Sequence, residues 1–263
     1  MIHHAASEGF SADPAAYDRA RPDYPREAVR WLLDRLAVDP DDTVVDLGAG
    51  TGKLTEHLLP SGATVIAVEP VPEMRAALAR KLPSVKAVDA VAERLPFAQG
   101  SADAVVAGQA FHWFDQAEAL PEIHRILRSG GHLGLVWNRR RLEQPLQAAI
   151  SELVEPYRAS APAHGSGAWQ RGLDASPLFR LEEAVELGHE QRLDREGLVD
   201  RVGSISFIAA LPDGERGRVL DAARELTGSS AEVSLAYVAE VFSYVRNDEE
   251  SPNSGGSALG PSG

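Results

Sequence analysis

The chain contains no cysteine in its 263 residues. Disulfides, thiolate nucleophiles and thiolate metal sites are therefore excluded. Long apolar runs are absent too. No stretch approaches the roughly 18 apolar residues that a membrane span needs, and the N-terminal residues include no secretory apolar segment. The expectation from these two absences is a cytoplasmic protein without a membrane partner. Positive charge is also scarce, with 26 Lys and Arg against 39 Asp and Glu and a formal charge of −13. Such a surface disfavours non-specific contact with nucleic acid. Arg139-Arg140-Arg141 is the compact basic patch in an otherwise acidic chain. What remains is ordinary: 44% hydrophobic and 25% charged residues suit a globular enzyme. The length suits one α/β domain with additions, and the abundance of Ala, Arg and Gly fits a GC-rich bacterial genome.

The most informative stretch is Thr43-Val44-Val45-Asp46-Leu47-Gly48-Ala49-Gly50-Thr51-Gly52. A short apolar run reads as a buried parallel strand. The glycines that follow allow a tight turn and close approach to a ligand, because they lack Cβ. Lys53 to Leu59 then has helical spacing. Strand, glycine turn and helix start make a nucleotide-type pocket at the carboxyl end of a sheet. The spacing is G-x-G-x-G, which is neither the dinucleotide G-x-G-x-x-G nor a P-loop, since Leu54 follows Gly52-Lys53. A second apolar run, Thr64 to Val68, ends in Glu69. That carboxylate falls about 20 residues past the first glycine, where it can accept hydrogen bonds from ribose hydroxyls.

On these residues the chain resembles the class I S-adenosylmethionine-dependent methyltransferases, with residues 43–52 similar to their first motif and Glu69 to their ribose-binding acid. The resemblance extends to Tyr17-Asp18-Arg19-Ala20-Arg21-Pro22-Asp23-Tyr24-Pro25, which looks like a segment that folds over the cofactor ahead of the core. It implies that Arg21 or Tyr17 meets the methionine carboxylate, for which a planar guanidinium is well shaped. Asp89 to Phe97 resembles the adenine-binding segment, and the implied contacts are the Ala92 backbone with Glu93 or Asp89. Met74 is either an adenine contact or plain core. The implied cofactor set is completed by Asp46, Gly48, Ala49, Gly50, Gly52, Pro70, Gln109 and Ala110. The run Phe111-His112-Trp113-Phe114 looks like the aromatic loop of a subfamily acting on small molecules. His112 and Trp113 are its expected acceptor contacts, joined by Tyr24, Phe111 and Asn138. Packing is the stronger expectation for Phe111 and Phe114.

The fold implied is a Rossmann-like α/β sheet of seven strands, mostly parallel, with the last strand antiparallel between strands five and six. Helices cover both faces. Residues 15–246 form the methyltransferase domain, with cap segments at 15–36, 145–175 and 194–228. Residues 1–14 are expected to be a mobile arm, 158–177 a mobile insertion and 247–263 a disordered tail. Pro22 and Pro25 are expected to keep residues 17–25 out of helix, and Ser129-Gly130-Gly131 to stop the helix that starts at Gln116.

Methyl transfer from a sulfonium is an in-line displacement, so placement and exclusion of water are the main tasks. Where an acceptor must lose a proton, His112 is the expected base, because an ordinary imidazole titrates near neutrality. The resulting expectation is an S-adenosylmethionine-dependent enzyme acting on a small molecule as a monomer or homodimer, without metal. Two other readings keep the scaffold: a non-methylating reaction such as cyclisation, or a non-catalytic binding protein.

Overall fold

The computed structural model describes residues 14–158 and 164–248. The expectations for residues 1–13, for 249–263 and for the stretch 159–163 lie outside them. Alternating apolar runs and helical segments produce β1 (Thr43–Leu47), β2 (Thr64–Val68), β3 (Lys86–Val88), β4 (Ala102–Gly108) and β5 (Leu127–Arg140). Two long strands follow, β6 (Phe179–Asp194) and β7 (Glu232–Arg246). They form one sheet in the order β3-β2-β1-β4-β5-β7-β6. Strands β1 to β5 pair in parallel, and β7 lies antiparallel between β5 and β6. This is the expected topology. β1 has β2 on one side and β4 on the other, so the winding reverses there and leaves a crevice beyond the carboxyl ends.

The central strands alternate between two buried faces, as a sheet covered on both sides must. Val45, Leu47, Val105, Leu133, Leu135 and Trp137 face α5 (Gln116–Ile126) and α7 (Ala168–Asp174). Val44, Ala104, Val106 and Val136 face α2 (Arg26–Arg35) and α3 (Lys53–Leu58). α4 (Pro72–Lys81) covers the edge beside β2 and β3. A third cluster joins Tyr237 of β7 to α6 (Pro145–Val154), α8 (Arg195–Gly203), α9 (Ser206–Ala209) and α10 (Asp213–Glu225).

Several local expectations are corrected by tertiary contacts. Tyr17 and Ala20 lie within α1 (Pro14–Ala20); Pro14 opens this helix, and Pro22 ends it instead of excluding it. α5 stops at Ile126, before the glycines, because buried Leu127 turns extended and pairs with Ala102. Ser129-Gly130-Gly131 lies inside irregular β5, where Asp248 accepts from Ser129 Oγ and the Gly130 N–H. Asn247 and Asp248 thus belong to the ordered structure. The 158–177 stretch contains α7, whose Trp169 is only 3% exposed and stacks 4.2 Å from Trp137. α7 is thus a core element, not part of an insertion.

Candidate active site

The glycine turn after β1 has the backbone that its sequence demands. Gly48, Gly50 and Gly52 all have positive φ. A Cβ on Gly48 would come within 2.6 Å of Ala110 Cβ, so the β1 and β4 loops touch there. At Gly50 the space is open, which leaves bare backbone toward the crevice. Glu69, at the end of β2, closes the turn: its two carboxylate oxygens accept from the N–H groups of Gly50 and Val71, each at 2.8 Å. Burial raises its pKa, and these two N–H groups and Arg75 partly offset the rise. Asp46 is fully buried, and Thr55 Oγ1 donates to its Oδ2 at 2.6 Å. Its Oδ1 has no protein partner, and burial pushes its pKa to about 7.

These groups line two adjoining recesses. One is walled by Glu69, Pro70, Met74, the Ala90–Glu93 segment and Phe114. Met74 is buried and also lines the recess, so the two expectations for it merge. Glu93 lines the same recess and, within a turn, accepts from the Asp115 N–H. Asp89 does not reach it. Its carboxylate pairs with Arg75 at 3.0 Å on the outer surface. The second recess gathers Arg21, Tyr24, Asp46, Ala49, Thr51 and Lys53. Tyr24, expected on the acceptor side, sits here instead, packed in the core with its hydroxyl against Gly108. Burial raises its pKa well above the ordinary value. Asp18 ties α1 to this floor by accepting from Thr51 Oγ1 at 2.6 Å and pairing with Lys81 at 3.2 Å.

A larger cavity, of about 620 Å³, opens beyond the ends of β5 and β7. Tyr17 and Gln109 line this cavity and both recesses. Gln109 holds a left-handed backbone (φ 58°), an unusual state for a side-chain-bearing residue that turns the chain sharply from β4 into the aromatic loop. His112 and Trp113 line the cavity. Phe111 does not: it is fully buried and meets Phe114 and Trp169 edge to face. The loop is a single 3₁₀ turn, which sends Phe111 inward and leaves Phe114 on the recess wall.

His112 is not arranged as a base. Trp137 Nε1–H donates to its Nδ1 at 3.2 Å, which places the ring proton on Nε2. Burial, with His164 and Arg21 nearby, lowers its pKa to about 3, so the ring is neutral and Nε2 is a donor. Asn138 lines the cavity, but its amide is engaged: Nδ2 donates to the Asp23 carbonyl and Oδ1 faces His189 Nε2 at 2.8 Å. Among the lining residues that were not expected are Arg140, Arg158, His164 and Arg201. The basic tripeptide at 139–141 was the only local sign of them.

A family model described as a methyltransferase domain matches residues 45–135, from β1 into β5. The uncharacterized methyltransferase Rv3342 of Mycobacterium tuberculosis is 38% identical over 229 residues, 84% of this chain and 86% of its own. Among solved structures, a protein of Anaeromyxobacter dehalogenans provisionally assigned as a type II methyltransferase superposes with a TM-score of 0.66 at 24% identity, covering 86% of this chain and 97% of its own. A geranyl diphosphate methyltransferase solved with S-adenosylmethionine superposes at 0.51 with 18% identity, covering 84% and 85%. These last two likenesses are of fold. Identity maintained over more than four-fifths of both chains makes this protein a member of the class I S-adenosylmethionine-dependent methyltransferases.

Proposed function

We propose that the crevice transfers a methyl group from S-adenosylmethionine to a small-molecule acceptor seated in the cavity beyond β5 and β7. The observation that carries this reading is the junction itself, where Tyr17 and Gln109 border the two adjoining recesses and the larger cavity together. The residues present fit the cofactor. Glu69 offers a fixed carboxylate to ribose hydroxyls, while the Ala90–Glu93 segment, Met74 and Phe114 offer an apolar slot to adenine. Asp46 Oδ1, buried without a partner, suits an ammonium, and the Arg21 guanidinium suits a carboxylate. When bound, the cofactor supplies a methyl group on a sulfonium, which departs as a neutral thioether.

The chain's own contribution is placement and dryness. Trp113 and the cap helices enclose the acceptor side, and the His112 Nε2–H donates to the acceptor without drawing a proton from it. An acceptor that is already nucleophilic suits such a site. On this reading the enzyme works in the cytoplasm as a monomer or homodimer, with neither nucleic acid nor membrane as partner. The acidic balance and the lack of cysteine support that setting. Among the described residues no helix is long and apolar enough to cross a membrane.

Calorimetry with S-adenosylhomocysteine tests the proposal. The wild-type chain is expected to bind it, and Glu69→Ala to weaken binding by roughly 10- to 100-fold, matching the 1.5–3 kcal/mol of hydrogen bonds to a charged group. A wild-type protein with no affinity for this nucleoside overturns the reading. Mass-spectrometric screening for acceptors that gain a methyl group then identifies the substrate.

A further inference from the structure

The large cavity contains an arrangement that methyl transfer alone does not require. Arg21, Arg140 and Arg201 all line it, and among the described residues none of the three pairs with a carboxylate. Several arginines elsewhere in the chain are matched: Arg35 with Glu183, Arg125 with Glu122, Arg139 with Glu240, Arg224 with Glu196. The three in the cavity have only neutral partners. Arg140 Nη1 donates to Ser151 Oγ at 3.3 Å, Arg201 Nε to the Tyr237 hydroxyl at 3.0 Å, and Arg21 Nη2 to the Ser204 carbonyl at 2.7 Å. Arg201 is 5% exposed, and its Nη1 is buried without a partner, as is Arg21 Nε.

Their charges oppose one another. Burial lowers the Arg140 pKa to about 9, and the neighbouring charges of Arg201, Arg21 and Arg158 push it in the same direction. Two acids border the cavity, but Glu155 is already paired with Arg158 at 2.9 Å and Glu143 is exposed. Like charges gathered out of water cost several kcal/mol unless something of opposite sign completes them. Nothing in the described protein does so. The guanidinium forks match planar or tetrahedral oxyanions. The row is also built: Arg140 pairs across the sheet with Tyr237, whose hydroxyl receives Arg201, and His189 stacks 5.5 Å from the same ring.

We infer that the methyl acceptor carries a multiply charged oxyanion, carboxylate or phosphate, which docks between Arg140 and Arg201, with Arg21 turned to the cofactor's own carboxylate. This deepens the methyl-transfer proposal and rests on it. The arginines hold the charged end, and the apolar lining from Trp113 and Phe207 takes the rest of the acceptor.

The test is calorimetry on the full chain, saturated with S-adenosylhomocysteine and also ligand-free, with citrate, inorganic pyrophosphate and neutral triethyl citrate as probes. At least one anion is expected to bind, and the triester not to. Arg140→Gln and Arg201→Gln are each expected to weaken the anion by roughly 30-fold or more, as loss of one partner of a buried charge pair does. Their ligand-free melting temperatures are expected to rise, because a repelling charge is gone; a merely structural arginine would lower them. Binding of citrate alone assigns a carboxylate acceptor, and of pyrophosphate alone a phosphorylated one. A wild-type chain that takes up the nucleoside but neither anion overturns the inference, as does equal anion affinity in both variants. Failure of the nucleoside alone strikes the cofactor reading, and the ligand-free titration still judges the arginines.

Discussion

Beyond the tips of β1 and β2 the buried carboxylates are Asp46 and Glu69; beyond β5 and β7 stand guanidiniums, buried Arg201 and half-buried Arg140. The two ends of one crevice thus carry opposite charge, with the aromatic loop between them. Their construction differs as much as their charge. The carboxylates lie 23 residues apart in two consecutive strand-to-helix turns, and backbone N–H groups orient Glu69. The arginines come from the α1 end, the β5 end and α8, brought together by the cap. One end is a local motif with fixed donors. The other is a tertiary assembly whose charges lack partners within the described protein.

The largest effect expected to sharpen that contrast comes from Trp169→Ala. Trp169 packs on Trp137, His164 and Phe242, so the change should cost about 3–5 kcal/mol of stability. That corresponds to a melting temperature lowered by roughly 6–20 °C for a chain of this size. The damage should fall on the acceptor wall, with S-adenosylhomocysteine affinity in the folded protein nearly unchanged. Parallel loss of both, measured by calorimetry below the melting range, would merge the two ends into one unit.

Next is Asp46→Asn. Burial raises this carboxyl from an ordinary pKa of 3.8 to about 7, a cost on the order of 4 kcal/mol. A raised pKa means stability present below pH 3.8 and lost as pH climbs through 7. The amide removes this cost but weakens the Thr55 bond, so a net gain of about 1–3 kcal/mol is expected at pH 8 without ligand. Cofactor affinity should fall in the same variant. A melting temperature at pH 8 equal to wild type would show that the buried charge is not what destabilises this end.

The smallest expected effect is a difference in slope. His112 and His164 have pKa values lowered to about 3 and about 4, in both cases chiefly by burial. Depressed values have the opposite sign to Asp46: stability is full above the ordinary 6.5 and is lost as pH falls toward 4 and then 3. From pH 7 to 4 the two ends therefore pull in opposite directions, and wild-type melting should vary little. Asp46→Asn should unmask a steeper acid decline. Identical pH profiles for the two proteins, followed by thermal melting, would count against the opposition.

The sequence was readable where chemistry and contiguity coincide. Thr43 to Gly52, Glu69 and the Ala90–Glu93 segment can be read because a strand, its turn and the following helix start are set by neighbouring residues. Reading failed where a side chain's destination depends on a distant partner. Packing is the stronger expectation for both Phe111 and Phe114, but a 3₁₀ turn, braced by Trp169 from another segment, sends Phe111 inward and leaves Phe114 on the recess wall. His112 was identified as a pocket residue, but its proton is placed by Trp137. Of the two acids implied at adenine, Glu93 lines the recess while Arg75 holds Asp89 outside.

Thus the order of strands, the glycine turn and the acid that follows β2 were determined by the sequence itself, since hydrophobic alternation and φ preference act over a few residues. The charge of the cavity beyond β5 and β7 was decided only in three dimensions. Arg140 and Arg201 lie in separate segments of an acidic chain, and apart from the basic run at 139–141 nothing local separates them from solvated arginines. Packing of the cap against β7 removes them from water, and that burial turns ordinary surface residues into a concentrated positive site.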